Sequence, residues 1–178
     1  MSAAPTLSKK SLIGGFFFVA IFGTLAHFFY EWSGQNPVCG LFFPISESTW
    51  EHMKLVFFPM LLWIGLFFPA THEKTPGLIF LALLANLLGT ALIPILFYSY
   101  SGILGYNIPA VDISIFYISV LFIFLFIGKK RKLSFENEKM ANALIVALTI
   151  LFTVSFFVFT YFVPDFGIFH NPAQPYSA

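Results

Sequence analysis

The sequence predicts an all-α fold: a polytopic transmembrane bundle of five helices, with the N-terminus inside and the C-terminus outside. Three observations carry this. Of 178 residues, 58% are apolar and only 10% charged, whereas a soluble domain has about 25% charged residues. The few charges punctuate uncharged stretches of the length, roughly 20 residues, that crosses about 30 Å of hydrocarbon as a helix. Eight of the nine basic residues also fall on alternate connections, as the positive-inside rule requires. These long runs do not alternate, which excludes a β-barrel and leaves helices to satisfy their own backbone groups in lipid.

The chain reads as a single transmembrane domain over residues 1–178, with spans at about 11–31, 49–70, 77–98, 109–128 and 140–163. In the first, twenty residues from Ser11 to Tyr30 carry no formal charge, and His27 is the one ionisable interruption. A leader peptide would have a shorter apolar region and a small-residue cleavage site, so a retained anchor is expected. The second apolar run, Leu55 to Ala70, reaches spanning length only if its helix starts near Thr49, with Glu51, His52 and Lys54 in the first turns. The third uncharged stretch is too long for one helix. Gly77 to Tyr98 forms the span, and Ser101, Gly102, Gly105, Asn107 and Pro109 supply turn residues after it. The fourth span has Asp112 near its start, and the fifth is closed by Pro164. Pro59 and Pro94 fall inside spans and predict kinks.

With the N-terminus inside, Lys9, Lys10, Lys74, Lys129, Lys130, Arg131, Lys132 and Lys139 are internal and Lys54 alone is external. The Lys129–Lys132 run is read as a topology determinant that could also meet anionic lipid. Composition excludes a soluble enzyme and a disordered tail. A net charge of +1 offers nucleic acid no bulk attraction, and the single Cys39 permits neither an internal disulfide nor a thiolate cluster. The lipid bilayer is therefore the one partner the sequence names. A homo-oligomer and a small-molecule or protein partner stay open.

Chemically versatile groups collect on the outer side: Glu31, Glu47, Glu51, Asp112 and Asp165, the histidines His27, His52 and His170, and Tyr30, Tyr98, Tyr100 and Tyr106. Ala20, Gly23, His27 and Glu31 share one face of the first helix. Small residues at that spacing mark close helix contact, which directs His27 into the bundle with Glu31 as its i+4 partner. Ser48-Thr49-Trp50-Glu51 fits a capping box in which Glu51 reaches back to the Ser48 N–H. Two readings stand side by side. Either this segment is helix capping alone, or Glu47, Glu51 and His52 meet His27, Glu31 and Asp112 in an outward-open pocket, with Tyr30, Tyr98 and Tyr100 as supporting polar groups. Carboxylates and imidazoles so gathered could hold a divalent ion such as Zn²⁺. On the third helix Ala82, Ala85, Gly89 and Ala91 give a small-residue surface, with Asn86 and Thr90 as hydrogen-bonding groups.

His27-Phe-Phe-Tyr-Glu-Trp-Ser-Gly34, Asn36-Pro37, Glu47-Ser-Thr-Trp-Glu-His-Met-Lys54, Phe57-Phe-Pro59, Phe97 to Gly105 and the Asp112-Ile start of the fourth helix together resemble a family of small bacterial integral membrane proteins. That family is classed as a domain of unknown function. The resemblance implies a five-helix protein of the bacterial cytoplasmic (inner) membrane and brings no activity with it. The tail from Phe169 to Ala178 resembles a shortened, altered version of the family's ending.

Function therefore divides three ways. The first reading is a non-enzymatic membrane protein whose outer polar cluster engages a small ligand, an ion or a partner. The alternative is a membrane-embedded metal-dependent hydrolase. In it His27, His52 and one or more of Glu31, Glu47 and Asp112 are ligands, Glu51 is the general base, and Tyr98 or Tyr100 stabilises the oxyanion. The third is a purely structural bundle. His27 and His52 ring nitrogens more than about 8 Å apart would leave no single zinc site, given bonds near 2.1 Å.

Overall fold

The computed structural model describes residues 7–67, 76–129 and 137–172. Among these residues the chain is all helical. It forms α1 (Lys9–Trp32), α2 (Pro37–Phe42), α3 (Thr49–Phe67), α4 (Pro76–Leu104), α5 (Pro109–Lys129) and α6 (Glu138–Tyr161), followed by a 3₁₀ turn at Gly167–Phe169. All but α2 of the α-helices are long and apolar enough to cross a membrane. The expected end of the second span at 68–70, together with Lys74, Lys130, Arg131 and Lys132, lies outside the described residues.

Local chemistry sets the helix ends. The Ser8 hydroxyl accepts from the Ser11 N–H at 3.1 Å to open α1, and Asn137 Oδ1 accepts from the Met140 N–H at 3.0 Å to open α6. Each satisfies a donor that a helix start leaves unpaired. Two boundaries differ from the sequence reading. The third span does not stop at Tyr98 but runs on to Leu104. Ser99 and Ser101 turn their hydroxyls back onto the Ile95 and Phe97 carbonyls, at 2.6 and 2.7 Å, so they ride on the helix instead of breaking it. The stop is Gly105, which takes φ +79° and bonds its N–H to the Ser101 carbonyl at 2.7 Å. That left-handed conformation suits glycine at a helix end. The second difference is α2, a short helix between the first two predicted spans. Asn36 Oδ1 caps the Val38 N–H at 2.9 Å and Pro37 takes the first helical position, where its missing N–H costs nothing.

The most enclosed span is α4, packed against α3, α5 and α6. On its far side α1 lies against α3 and α5, while α2 rests on α6 and α1. Val19, Val56, Phe57, Met60, Ala82, Ala85, Val120, Ile123 and Phe156 are wholly enclosed between these helices. Asn86, fully buried on α4, donates from Nδ2 to the Phe57 carbonyl of α3 at 3.2 Å and receives the Thr90 hydroxyl at 3.5 Å. A polar pair thus ties α4 to α3 where hydrocarbon offers no other partner.

Pro59, inside α3, has no N–H to give the Leu55 carbonyl four residues earlier. Gly23 of α1 sits against that carbonyl: a Cβ added there would lie 2.5 Å from the Leu55 oxygen and 2.7 Å from the Phe116 ring. The small-residue face of α1 is thus a backbone-to-backbone contact. Gly23→Ala is expected to push α1 off α3 and lower stability by about 1–3 kcal/mol, the usual cost of overpacking. Thermal unfolding in detergent micelles would register it, and a wild-type midpoint would count against so tight a contact.

Candidate metal centre

Three side chains from three parts of the chain meet at one end of the bundle. His27 lies near the C-terminal end of α1, Glu47 in the segment between α2 and α3, and His52 in the first turn of α3. His27 Nε2 is 3.6 Å from Glu47 Oε1, and His52 Nε2 is 3.4 Å from Glu47 Oε2. The imidazoles stack with centroids 5.4 Å apart and planes 26° from parallel. One ligand atom from each of the three residues can be chosen so that all lie within 4.8 Å of one another. A tetrahedral ion with bonds near 2.0–2.1 Å separates its ligands by about 3.4 Å, close to the 3.6 and 3.4 Å at which Glu47 meets the two rings.

Hydrogen bonding prepares the site. His52 Nδ1 lies 2.9 Å from the Ser48 carbonyl. A carbonyl only accepts, so Nδ1 carries a proton there and Nε2 is the nitrogen turned toward Glu47, the ring orientation that suits a ligating imidazole. Glu47 itself is 60% exposed. Its carboxyl is held below the usual range, chiefly by the hydrogen bond from His52, with the His52 and His27 charges adding to this and partial burial opposing it. The carboxylate is therefore available as an anion, and the site opens to water.

The other expected members are elsewhere. Glu31 is exposed and does not pair with His27, because the segment after α2 folds back and puts Glu47 there instead. Asp112 is engaged by the Tyr100 hydroxyl and, at 3.0 Å, by Asn107 Nδ2, while Tyr100 also accepts the Ile108 N–H at 3.0 Å. This group closes the α4–α5 turn. The carboxylate is committed to the turn and does not join the cluster. Tyr30 packs beside Gly40 of α2, and Tyr98 is an exposed ring set edge-on to Phe97. Lys129 closes α5 at the surface.

Glu51 departs furthest from expectation. The Ser48 hydroxyl does accept the Glu51 N–H, at 3.3 Å, which is half of the capping box. The Glu51 carboxylate does not return to Ser48. It turns inward, accepts the Ile45 N–H at 2.9 Å, and forms a 2.8 Å ion pair with Lys54 Nζ. The two side chains are 4% and 0% exposed. Lys54 fills its remaining donors with the Gly40 carbonyl at 2.9 Å and the Thr160 hydroxyl at 2.5 Å, so all three N–H groups are used. The Thr160 hydroxyl lies 3.1 Å from Glu51 Oε1 and 2.6 Å from the Phe156 carbonyl, and donates its one proton between them. Lys54, read from sequence only as the one external basic residue, is a buried centre of this network. The signal was present: a lysine three residues after a glutamate on an otherwise apolar helix shares its face, and a charge within a span needs a partner.

The model of a family of unknown function (DUF6512) matches residues 1–175. The chain belongs to that family. The DUF6512 match extends beyond the segments that carried the sequence resemblance and takes in α5, α6 and most of the tail. No curated protein and no solved structure matches the chain. DUF6512 membership therefore brings no activity.

Proposed function

We propose that this DUF6512 protein is a multi-pass membrane protein of the bacterial inner membrane that binds a divalent transition-metal ion, Zn²⁺ foremost, at its outward-facing end through His27, Glu47 and His52. The observation that supports this best is the convergence of two imidazole Nε2 atoms on one carboxylate, with the His52 ring held from behind by the Ser48 carbonyl. Two nitrogens and one oxygen suit Zn²⁺, Co²⁺ or Ni²⁺ and are poor ligands for Mg²⁺ or Ca²⁺, which take oxygen. Three protein ligands leave a tetrahedral ion one position for water or an incoming donor. Exposure of Glu47 makes that position reachable, so the site is built for exchangeable binding.

The hydrolase alternative gains no support from the geometry, because Glu51, its intended base, is enclosed against Lys54. A conduction path is equally unsupported: Asn86 of α4 is committed to the Phe57 carbonyl of α3 and to Thr90.

Elemental analysis of the protein purified in mild detergent tests the proposal. One equivalent of metal is expected in the wild type and none in the His27→Ala, His52→Ala double variant. Equal content in the two proteins, or no uptake by the wild type when supplied with Zn²⁺, would refute it.

A further inference from the structure

The buried Glu51–Lys54 pair has no place in the metal site itself, yet its side chains hold the backbone that leads into Glu47. On one side, Glu51 Oε2 holds the Ile45 N–H and Lys54 Nζ holds the Gly40 carbonyl. On the other side the start of α3 itself holds Ser48: its hydroxyl accepts the Glu51 backbone N–H, and its carbonyl receives both the backbone N–H and the ring Nδ1 of His52. The segment that carries Glu47 is short, has no regular structure, and projects its carboxylate toward water. Its own contacts would leave that carboxylate many orientations. What fixes the segment is an ion pair enclosed between α2, α3 and α6.

We infer that Glu51 and Lys54 are positioning residues for the metal site, setting Glu47 opposite the two imidazoles by anchoring the backbone at Gly40 and Ile45. This rests on the metal-binding reading above and adds to it the residues that determine whether the third ligand is in place. It also accounts for an ion pair in a span, where neutral side chains of similar volume would pack at least as well.

The variant to use is Glu51→Leu with Lys54→Met, which leaves no unpaired charge in the interior. Wild type, this pair variant, Glu47→Gln and the triple combination would be titrated with Co²⁺ in detergent, following the visible ligand-field spectrum. Amide exchange at Ile45 would be followed in parallel. The pair variant should exchange the Ile45 amide faster and bind Co²⁺ 10–100-fold more weakly, the range typical of lost outer support. Its spectrum should shift toward that of Glu47→Gln, and adding Glu47→Gln to it should weaken binding little further. That non-additivity is the mark of two changes acting through one contact. Faster exchange with Co²⁺ affinity unchanged would make the pair purely structural and overturn the inference. So would a full additional loss from Glu47→Gln in the pair background. Wild type that takes up no Co²⁺ would instead sink the metal reading, and this one with it, while the exchange result would still report on the anchor.

Discussion

Lys54→Met alone is expected to be the most damaging single substitution in the chain, costing about 3–5 kcal/mol. Lys54 is wholly enclosed, and its partner Glu51 is 4% exposed. Removing the ammonium leaves a carboxylate in the interior with the Ile45 N–H and the Thr160 hydroxyl as its partners, and strands the Gly40 carbonyl. Much of the loss is the uncompensated charge and not the pair itself. Adding Glu51→Leu to Lys54→Met should therefore recover a large part of the stability. Midpoints of thermal unfolding in detergent for the single and double variants measure this directly. A double variant no more stable than the single would show that packing around Lys54, not charge, dominates.

The second large effect separates two carboxylates that the sequence leaves equivalent. Glu47→Ala should weaken Zn²⁺ binding by more than the 10–100-fold typical of a lost outer-shell partner, because it removes one of three ligands. Glu31→Ala should leave affinity unchanged within a factor of about two, since Glu31 is exposed and makes no contact with His27 that Glu47 does not already supply. Calorimetric titration of both variants beside the wild type decides between them. The reverse order of effects would mean that the helix-face pairing of His27 with Glu31 holds when the ion is bound.

The five spans could be read from sequence because hydrocarbon imposes a length and forbids charge, and both constraints are visible residue by residue. The small-residue face through Ala20 and Gly23 was readable for a similar reason, being a spacing on a single helix. Helix ends were less accessible. Ser99 and Ser101 look like turn residues until their hydroxyls are seen bonded one turn back, and Gly105 acts as a stop through a dihedral angle that its letter permits but does not demand. The site was half readable. His27, Glu47 and His52, which cluster, are three of the six candidates that the sequence offers at one end of the bundle. The selection of Glu47 over Glu31 depends on how the 43–48 segment folds back across α1, which is tertiary information. For Glu51 the sequence offers a local cap or a place in the outer pocket, and neither reading reaches the partners it has. Its true partners, Lys54 aside, are Ile45, reached across a loop, and Thr160, 109 positions along the chain. Lys54 was readable in principle: it was the single exception to the charge asymmetry, and an exception of that kind within a span calls for a counter-ion.

Trp50 completes the picture from an unexpected direction. Its indole packs against Phe156, Phe159 and Phe169, with ring centroids 4.7, 5.7 and 4.9 Å away, and it stands immediately before Glu51 and two residues before His52. Trp32 is largely exposed and Trp63 is enclosed, so the three indoles occupy three distinct surroundings. The chain thereby carries an intrinsic optical reporter, whose emission colour follows how closely the 3₁₀ turn and α6 stay seated over the start of α3.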